Sequence, residues 1–181
     1  MCLVLCMAAL AACTNKQKDT GIIAPRVEKV APKAPVSMQE YTDERDVKWV
    51  EGRMYHVAIH READKGLPLV KDETGQEFVD NRISVAVTRQ DGSIFFSRTF
   101  TKADFDKLVT DDYRKTGILE GLVFDKVNGD WLEFAASVSH PQTDEYIPMI
   151  VRLSRMGNVE FKQDTDLDTS AGDDEAEEEG N

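Results

Sequence analysis

One dipeptide constrains this chain more than any other: Asn128-Gly129, set in the middle of a long apolar–polar alternation over residues 117–140. Asn-Gly supplies two positive-φ positions for a type I′ connection, so the pair predicts a two-residue turn with a hairpin folded about it. Folding there sets Leu119 opposite Val138, Gly121 opposite Ala136, Val123 opposite Phe134 and Asp125 opposite Leu132. That face is almost wholly apolar, with its two small residues paired. The other face is mixed, with Ile118 opposite Ser139, Glu120 opposite Ser137, Leu122 opposite Ala135, Phe124 opposite Glu133 and Lys126 opposite Trp131. A slip of one residue would turn both apolar rows outward, so the register is strongly specified.

Shorter alternations flank this hairpin. Tyr55, Val57 and Ile59 recur with the period of a strand over residues 53–60. Residues 62–81 are polar, with turn signals at Lys65-Gly66 and Thr74-Gly75 around a short apolar run at 67–70. A long loop or small ribbon is expected there, and a connection of that length is a candidate lid. Over residues 82–100, Ile83, Val85 and Val87 alternate, Asp91-Gly92 turns the chain and Ile94 to Phe96 begin the return. Strict pairing puts Arg98 opposite Val85, so a bulge or a longer loop is expected to shift that register. Next comes a helix signal, with Thr101 as N-cap, Asp104 at N3, and Phe100 and Phe105 at the staple positions. It predicts one short helix over 102–109. Ile147, Met149, Val151 and Leu153 mark a strand over 146–154, and Val159 and Phe161 a last short one.

The order predicts a mainly β domain over residues 46–163, an antiparallel up-and-down barrel or curled meander with one short helix. Closure would remove exposed edges. A two-sheet β-sandwich is the alternative. At about eight strands a barrel is either filled by side chains or holds one small ligand, and the bulky rows here predict a small apolar cavity at most.

Net charge is −12, but residues 164–181 hold nine acidic residues and no basic one, leaving only −3 on the rest. A nearly neutral domain gives no electrostatic case for nucleic acid or for a cationic substrate. The acidic stretch is expected to be a solvated, disordered tail, since loose carboxylates lack the rigid oxygen cage that calcium prefers.

At the other end, residues 1–12 are apolar and lead into Leu10-Ala11-Ala12-Cys13. The run is well short of the ~20 residues that span a bilayer, and its small residues before Cys13 have the form of a cleavage site. These four residues resemble the lipobox of bacterial lipoproteins, a leucine and two small residues before a cysteine. The resemblance implies a signal peptide at 1–12, cleavage before Cys13, and lipidation of Cys13, which becomes the membrane anchor. One departure is that no Lys or Arg precedes the apolar run. Cys2 and Cys6 fall in the removed segment, so the mature chain would have neither a disulfide nor a thiol nucleophile. Residues 13–45, with Pro25, Pro32 and Pro35, read as a flexible tether with a reach on the order of 30 Å. Thr14, rather than Asp, follows the cysteine; by resemblance to sorted lipoproteins, the implied address is the periplasmic face of an outer membrane.

Candidate chemistry is sparse. His56 and His60 have zinc-ligand spacing for a helix, but on a strand four residues span about 13 Å, and solvent-facing histidines are expected. His140, Asp144 and Glu145 cluster in a loop, where a His–carboxylate pair suits acid–base work. No convincing nucleophile accompanies them, and a charged cap on a sheet edge is the simpler account. Trp131 has the character of a stacking platform or an ordinary amphipathic strand end. No catalytic residue, metal or cofactor is expected. The classes rank as interaction protein, carrier of a small apolar ligand, then hydrolase.

Three segments, Val70-Lys71-Asp72-Glu73-Thr74-Gly75-Gln76, Asp112-Tyr113-Arg114-Lys115-Thr116-Gly117-Ile118-Leu119-Glu120-Gly121 and His140-Pro141-Gln142-Thr143-Asp144-Glu145-Tyr146-Ile147-Pro148, carry a wider likeness. With the lipobox, the chain resembles a family of bacterial lipoproteins designated domain of unknown function 4738. The resemblance implies a lipocalin-like barrel on a lipid anchor, and brings no activity or catalytic residue.

The acidic stretch has only Leu167, Ala171 and Ala176 as apolar residues, too few to offset ordering entropy. A chain stopped after Gln163 is therefore expected to melt within a few degrees of the full-length protein; a large drop in melting temperature would show that the tail packs on the domain.

Overall fold

Alternating residues become strands because each side chain along an extended backbone faces opposite its neighbour, which lets one row be buried. In the computed structural model, which describes residues 33–165, ten strands follow. They are β1 (Tyr41–Lys48), β2 (Met54–Ala63), β3 (Val70–Lys71), β4 (Glu77–Phe78), β5 (Asn81–Arg89), β6 (Ile94–Phe100), β7 (Ile118–Asn128), β8 (Trp131–Ser139), β9 (Tyr146–Ser154) and β10 (Val159–Gln163), with one helix, α1 (Asp111–Thr116), before β7. Two antiparallel four-stranded sheets form, in the orders β1-β2-β5-β6 and β10-β9-β8-β7, and β3–β4 is a separate ribbon.

Both sheets bury their apolar rows in one core. Val57, Ile59, Ile83 and Val85 come from the first, and Leu119, Leu132, Phe134 and Val151 from the second. Full burial of such side chains stabilises by about 1.5–3 kcal/mol each. Arg45 of β1 lies over Phe124 of β7, and Arg98 of β6 over Phe161 of β10, so first strand neighbours first and last neighbours last. Among the described residues no ladder joins the two sheets. The fold is therefore a mainly β pair of curled meanders, the two-sheet alternative, and the barrel does not close. Between the sheets, the space bounded by Val85, Phe100, Leu122, Phe134, Val151 and Leu153 has no room for a water molecule.

The central hairpin forms, with a corrected register. Asn128 pairs with Trp131, so the two turn residues are Gly129 and Asp130. Gly129 alone has a positive φ, +58°, the pattern of a type II′ rather than a type I′ turn. Ile118–Ser139 and Leu119–Val138 pair as expected, but β7 has 11 residues against nine in β8. The extra two, Glu120 and Asp125, face no partner and make two bulges. The first bulge inverts the strand's faces. Leu122 becomes 2% exposed, whereas Val123, expected inside, is 37% exposed. The physical reason is area: burying Leu122 and Phe124 removes more apolar surface from water than burying Gly121 and Val123.

Other differences are local. Arg98 does pair with Val85, and the bulge lies nearer the turn, between Val87 and Thr88. The capped segment at Lys102–Phe105 is a single 3-10 turn, closed by the Thr101 N–H donating to Asp104 at 2.8 Å. The α-helix comes later, at Asp111–Thr116, so the helix expected over 102–109 is not continuous. Residues 62–81 do hold a ribbon, fixed rather than lid-like, because Val70 and Phe78 are buried against Ile118. Order also begins earlier than residue 46. β1 occupies part of the expected tether, and before it the Val36 N–H donates to Glu77 O and its carbonyl accepts from Val79. A run as polar as Tyr41–Lys48 pairs as an edge strand because only Val47 is fully buried. The signal peptide, Cys13, most of the tether and all but the first two residues of the tail lie outside the described residues.

Gly129→Val should cost roughly 1–3 kcal/mol, since a β-branched residue is forced to positive φ. Gly117→Ala should cost about 1–3 kcal/mol by overpacking, because a Cβ there would meet Tyr113 O at 2.7 Å and Val138 Cγ1 at 2.8 Å. At Gly121 an added Cβ meets only Ser137 Oγ, at 3.2 Å, and Gly121→Ala should change little. Urea-unfolding midpoints of the three variants check this ranking.

Candidate functional site

A buried polar network lies where β5 and β7 begin. Asp80 and Asn81 stand at the head of the apolar row Ile83, Val85 and Val87, and both are buried. The Asp80 carboxylate accepts from the backbone N–H of Asn81 and of Leu119, each at 2.8 Å. The Asn81 side-chain amide donates to Leu119 O at 2.9 Å. Lys102, on the 3-10 turn, brings its ammonium to 3.5 Å from Asp80 and donates to Gly117 O. Burial pushes the Asp80 carboxyl above the usual carboxylate range, against the Leu119 N–H and the Lys102 charge, which pull it down.

Two recesses flank α1. One, about 260 Å3, has Asp80 and Lys102 in its floor, Leu67 and Leu69 on one wall and Arg114 and Lys115 on the other. The second, about 460 Å3, is lined by Asp72, Glu73, Asp112, His140 and Glu145. The ribbon turn that supplies Asp72 is built by that carboxylate. It accepts from the Thr74 hydroxyl at 2.7 Å and from the N–H groups of Thr74 and Gln76 at 2.9 Å, and the Thr74 hydroxyl foremost holds its pKa below the usual range. His140 follows β8 in a tight loop that places Gln142 at φ +61°.

His140 stacks on Tyr113, with ring centroids 4.1 Å apart. Its Nδ1 lies 3.0 Å from Glu145 and its Nε2 3.1 Å from Asp112. Burial, then the charges of Glu145 and Asp112, raise the Tyr113 phenol. The loop cluster expected from sequence thus assembles with Glu145 and with Asp112 from α1, whereas Asp144 is exposed and takes no part. A general base needs a nitrogen aimed at the proton it removes, and both His140 nitrogens face carboxylates. The nearby hydroxyls are also committed, Thr143 to His140 O and Thr116 to Asp112 O.

His56 and His60 lie on the outer face of β2, as expected, and neither approaches a common metal position. His56 Nδ1 is 2.9 Å from Asp46, and His60 Nε2 is 2.6 Å from Glu40. Among the described residues no group of three or more His, Cys, Asp or Glu side chains has the geometry to hold a metal ion. One face of Trp131 is covered by the Arg152 guanidinium, 4.2 Å from the ring centre. Sequence reasoning missed Asp80, Lys102 and Asp112; the available signal was a polar pair, Asp80-Asn81, at the head of an apolar alternation.

Stripping Asp80 of its cation should expose the cost of burying it. Lys102→Met is expected to lose about 3–5 kcal/mol at pH 7, the usual penalty for breaking a buried pair. For a carboxyl whose folded pKa is raised, the favourable contribution is complete below the ordinary carboxylate pKa and disappears as pH rises through the folded value. The loss in Lys102→Met should therefore shrink as pH falls to about 4. Urea denaturation at both pH values measures it, and an equal loss at each would exclude an ionised Asp80 as the cause.

Comparison with known proteins adds a family and no activity. No curated protein matches the chain. The model of a domain of unknown function, DUF4738, matches residues 24–161, covering both sheets, the ribbon and both recesses. The chain belongs to the DUF4738 family.

Proposed function

We propose that this chain is a lipid-anchored lipoprotein of the cell envelope, held through Cys13 at the periplasmic face of an outer membrane, whose folded domain works by binding another protein. Leu10-Ala11-Ala12-Cys13, placed directly after an apolar run, supports the anchor. The observation that carries the binding role is the filled space between the sheets, where Val85, Phe100, Leu122, Phe134, Val151 and Leu153 leave no room for a water molecule, while concave, charged surface lies outside around α1. A carrier of a small apolar ligand needs an enclosed apolar pocket, typically a few hundred Å3. A hydrolase needs a nucleophile beside a free base, and His140 has two carboxylates beside its ring instead.

Metabolic labelling with a clickable fatty acid is expected to mark the wild type and not Cys13→Ser. Two or more acyl chains would anchor the protein stably, where a single chain gives only marginal binding. Equal labelling of both proteins would end the lipoprotein reading. Saturable one-to-one binding of a fluorescent fatty acid by the Cys13→Ser chain would instead favour the carrier.

A further inference from the structure

His140 holds a carboxylate at each ring nitrogen, and the two carboxylates come from different elements. Glu145, in the β8–β9 loop, lies 3.0 Å from Nδ1, and Asp112, on α1, lies 3.1 Å from Nε2. Nε2 is shut off from solvent, and its approach to Asp112 is an ion-pair contact rather than an aligned hydrogen bond. A neutral imidazole has one N–H and one lone pair, whereas the imidazolium has two N–H groups. Either neutral tautomer therefore aims a lone pair at a carboxylate oxygen. At Nε2 the contact, 3.1 Å, is too close for a water to stand between them. Only the imidazolium satisfies both sides.

The charge around the ring has one sign. Four carboxylates line the recess, Asp112 from α1, Glu145 from the loop, and Asp72 and Glu73 from the ribbon turn, and no Lys or Arg lines it. Asp144, next in the loop, is exposed, and Arg114 and Lys115 of α1 line the other recess. Burial, then the charges of Glu145 and Asp112, hold the Tyr113 phenol above its ordinary value, so the ring stacked on His140 stays neutral where imidazoles titrate. His140 is thus the one residue lining this recess that can become a cation. His56 and His60 also stand between two carboxylates, Asp46 and Glu44 for the first, Glu40 and Glu62 for the second. Their side chains are 43% and 36% exposed on the open face of β2, against 20% for His140. Solvent leaves pairs so placed worth little.

We infer that His140 is a proton-operated latch between α1 and the β8–β9 loop. Its two sides are unequal. The loop is also closed by the His140 N–H, which donates to Glu145 O at 3.0 Å, and by the Thr143 hydroxyl, which donates to His140 O at 3.1 Å. Among the described residues α1 has no backbone hydrogen bond to the loop. The neutral ring keeps its N–H at Nδ1, toward Glu145, and turns the Nε2 lone pair on Asp112, so α1 is the side released. An imidazole is the side chain whose charge changes between about pH 5 and 8. The latch is therefore closed in mildly acidic solution and opens as pH rises, freeing one wall of the recess. It depends neither on the lipid anchor nor on the protein-binding reading.

Amide hydrogen exchange of the full-length Cys13→Ser chain, read by NMR at pH 6 and pH 8 and divided by the intrinsic rates, tests the latch. The reporters are the N–H groups of Arg114 and Gly117, bonded to Thr110 O and Tyr113 O at 3.0 Å each. Ser154, at the opposite end of β9 from the recess, donates its N–H to Asn158 O at 2.9 Å and is the reference. Protection at both reporters is expected to be roughly threefold higher at pH 6 than at pH 8, the scale of a partly exposed ion pair, with Ser154 unchanged. In His140→Gln, neutral at both pH values, the ratio should fall to one. Asp112→Asn should also give a ratio of one, but by raising protection at pH 8, because its amide donates to the neutral Nε2. That variant, on an exposed side chain, carries the test should His140→Gln fail to fold. Equal protection of the parent chain at the two pH values would overturn the inference. A change at Ser154 in step with the reporters, or a pH effect that survives in either folded variant, would overturn it as well.

Discussion

Two sheets that share no ladder need some directional force to fix how one lies on the other, and apolar burial is non-directional. The Asp80 carboxylate supplies that direction. It binds the N–H of Leu119 at the head of β7 while standing at the head of β5, and Asn81 closes the bridge from its amide to Leu119 O. The two meanders are thus pinned at one corner by side chain-to-backbone bonds. A buried carboxylate is costly in a low-dielectric interior, and Lys102 offsets part of that cost. In return the two sheets hold one relative position, on which the ribbon, α1 and the His140 loop all depend.

The sequence reveals this fold to different depths in different places. Strands with one buried apolar row, such as β2, β5 and β9, are visible because the period of two has no competing explanation. The turn region of the hairpin is visible as well, yet its register is not. Gly129 and Asp130 turn the chain in place of Asn128 and Gly129, and two bulges absorb the shift; such insertions leave no mark in a hydrophobic pattern. β1 is hidden for the opposite reason. An edge strand with one buried residue looks like linker, and its pairing with β2 is decided by backbone bonds that every residue can make. The capping box at Thr101 and Asp104 is a local signal and correctly starts a turn, but how far a helix continues depends on tertiary packing.

The polar end was partly legible. His140 and Glu145 are close in sequence, and their meeting is a short-range event. Asp112 reaches His140 from α1 and Lys102 reaches Asp80 from the 3-10 turn, contacts that no spacing rule predicts. A common theme links the three histidines, which all meet carboxylates: His56 at Asp46, His60 at Glu40, and His140 at Glu145 and Asp112. An imidazole so placed ties neighbouring segments together: β1 to β2 at His56, the residue before β1 to β2 at His60, and α1 to the β8–β9 loop at His140.

The paired bulges in β7 also bear on how such a chain assembles. β7 is an edge of its sheet, and a regular edge is a template to which a further strand can add, exposing a new edge each time, so that growth has no end. Glu120 and Asp125 interrupt the spacing of N–H and C=O groups along that edge and sharpen its twist. At the opposite edge, β10 offers only five residues. Filament growth by strand addition is thereby discouraged at both margins of the sheet, by backbone geometry at β7 and by shortness at β10, with charged side chains on both edge strands adding to the effect.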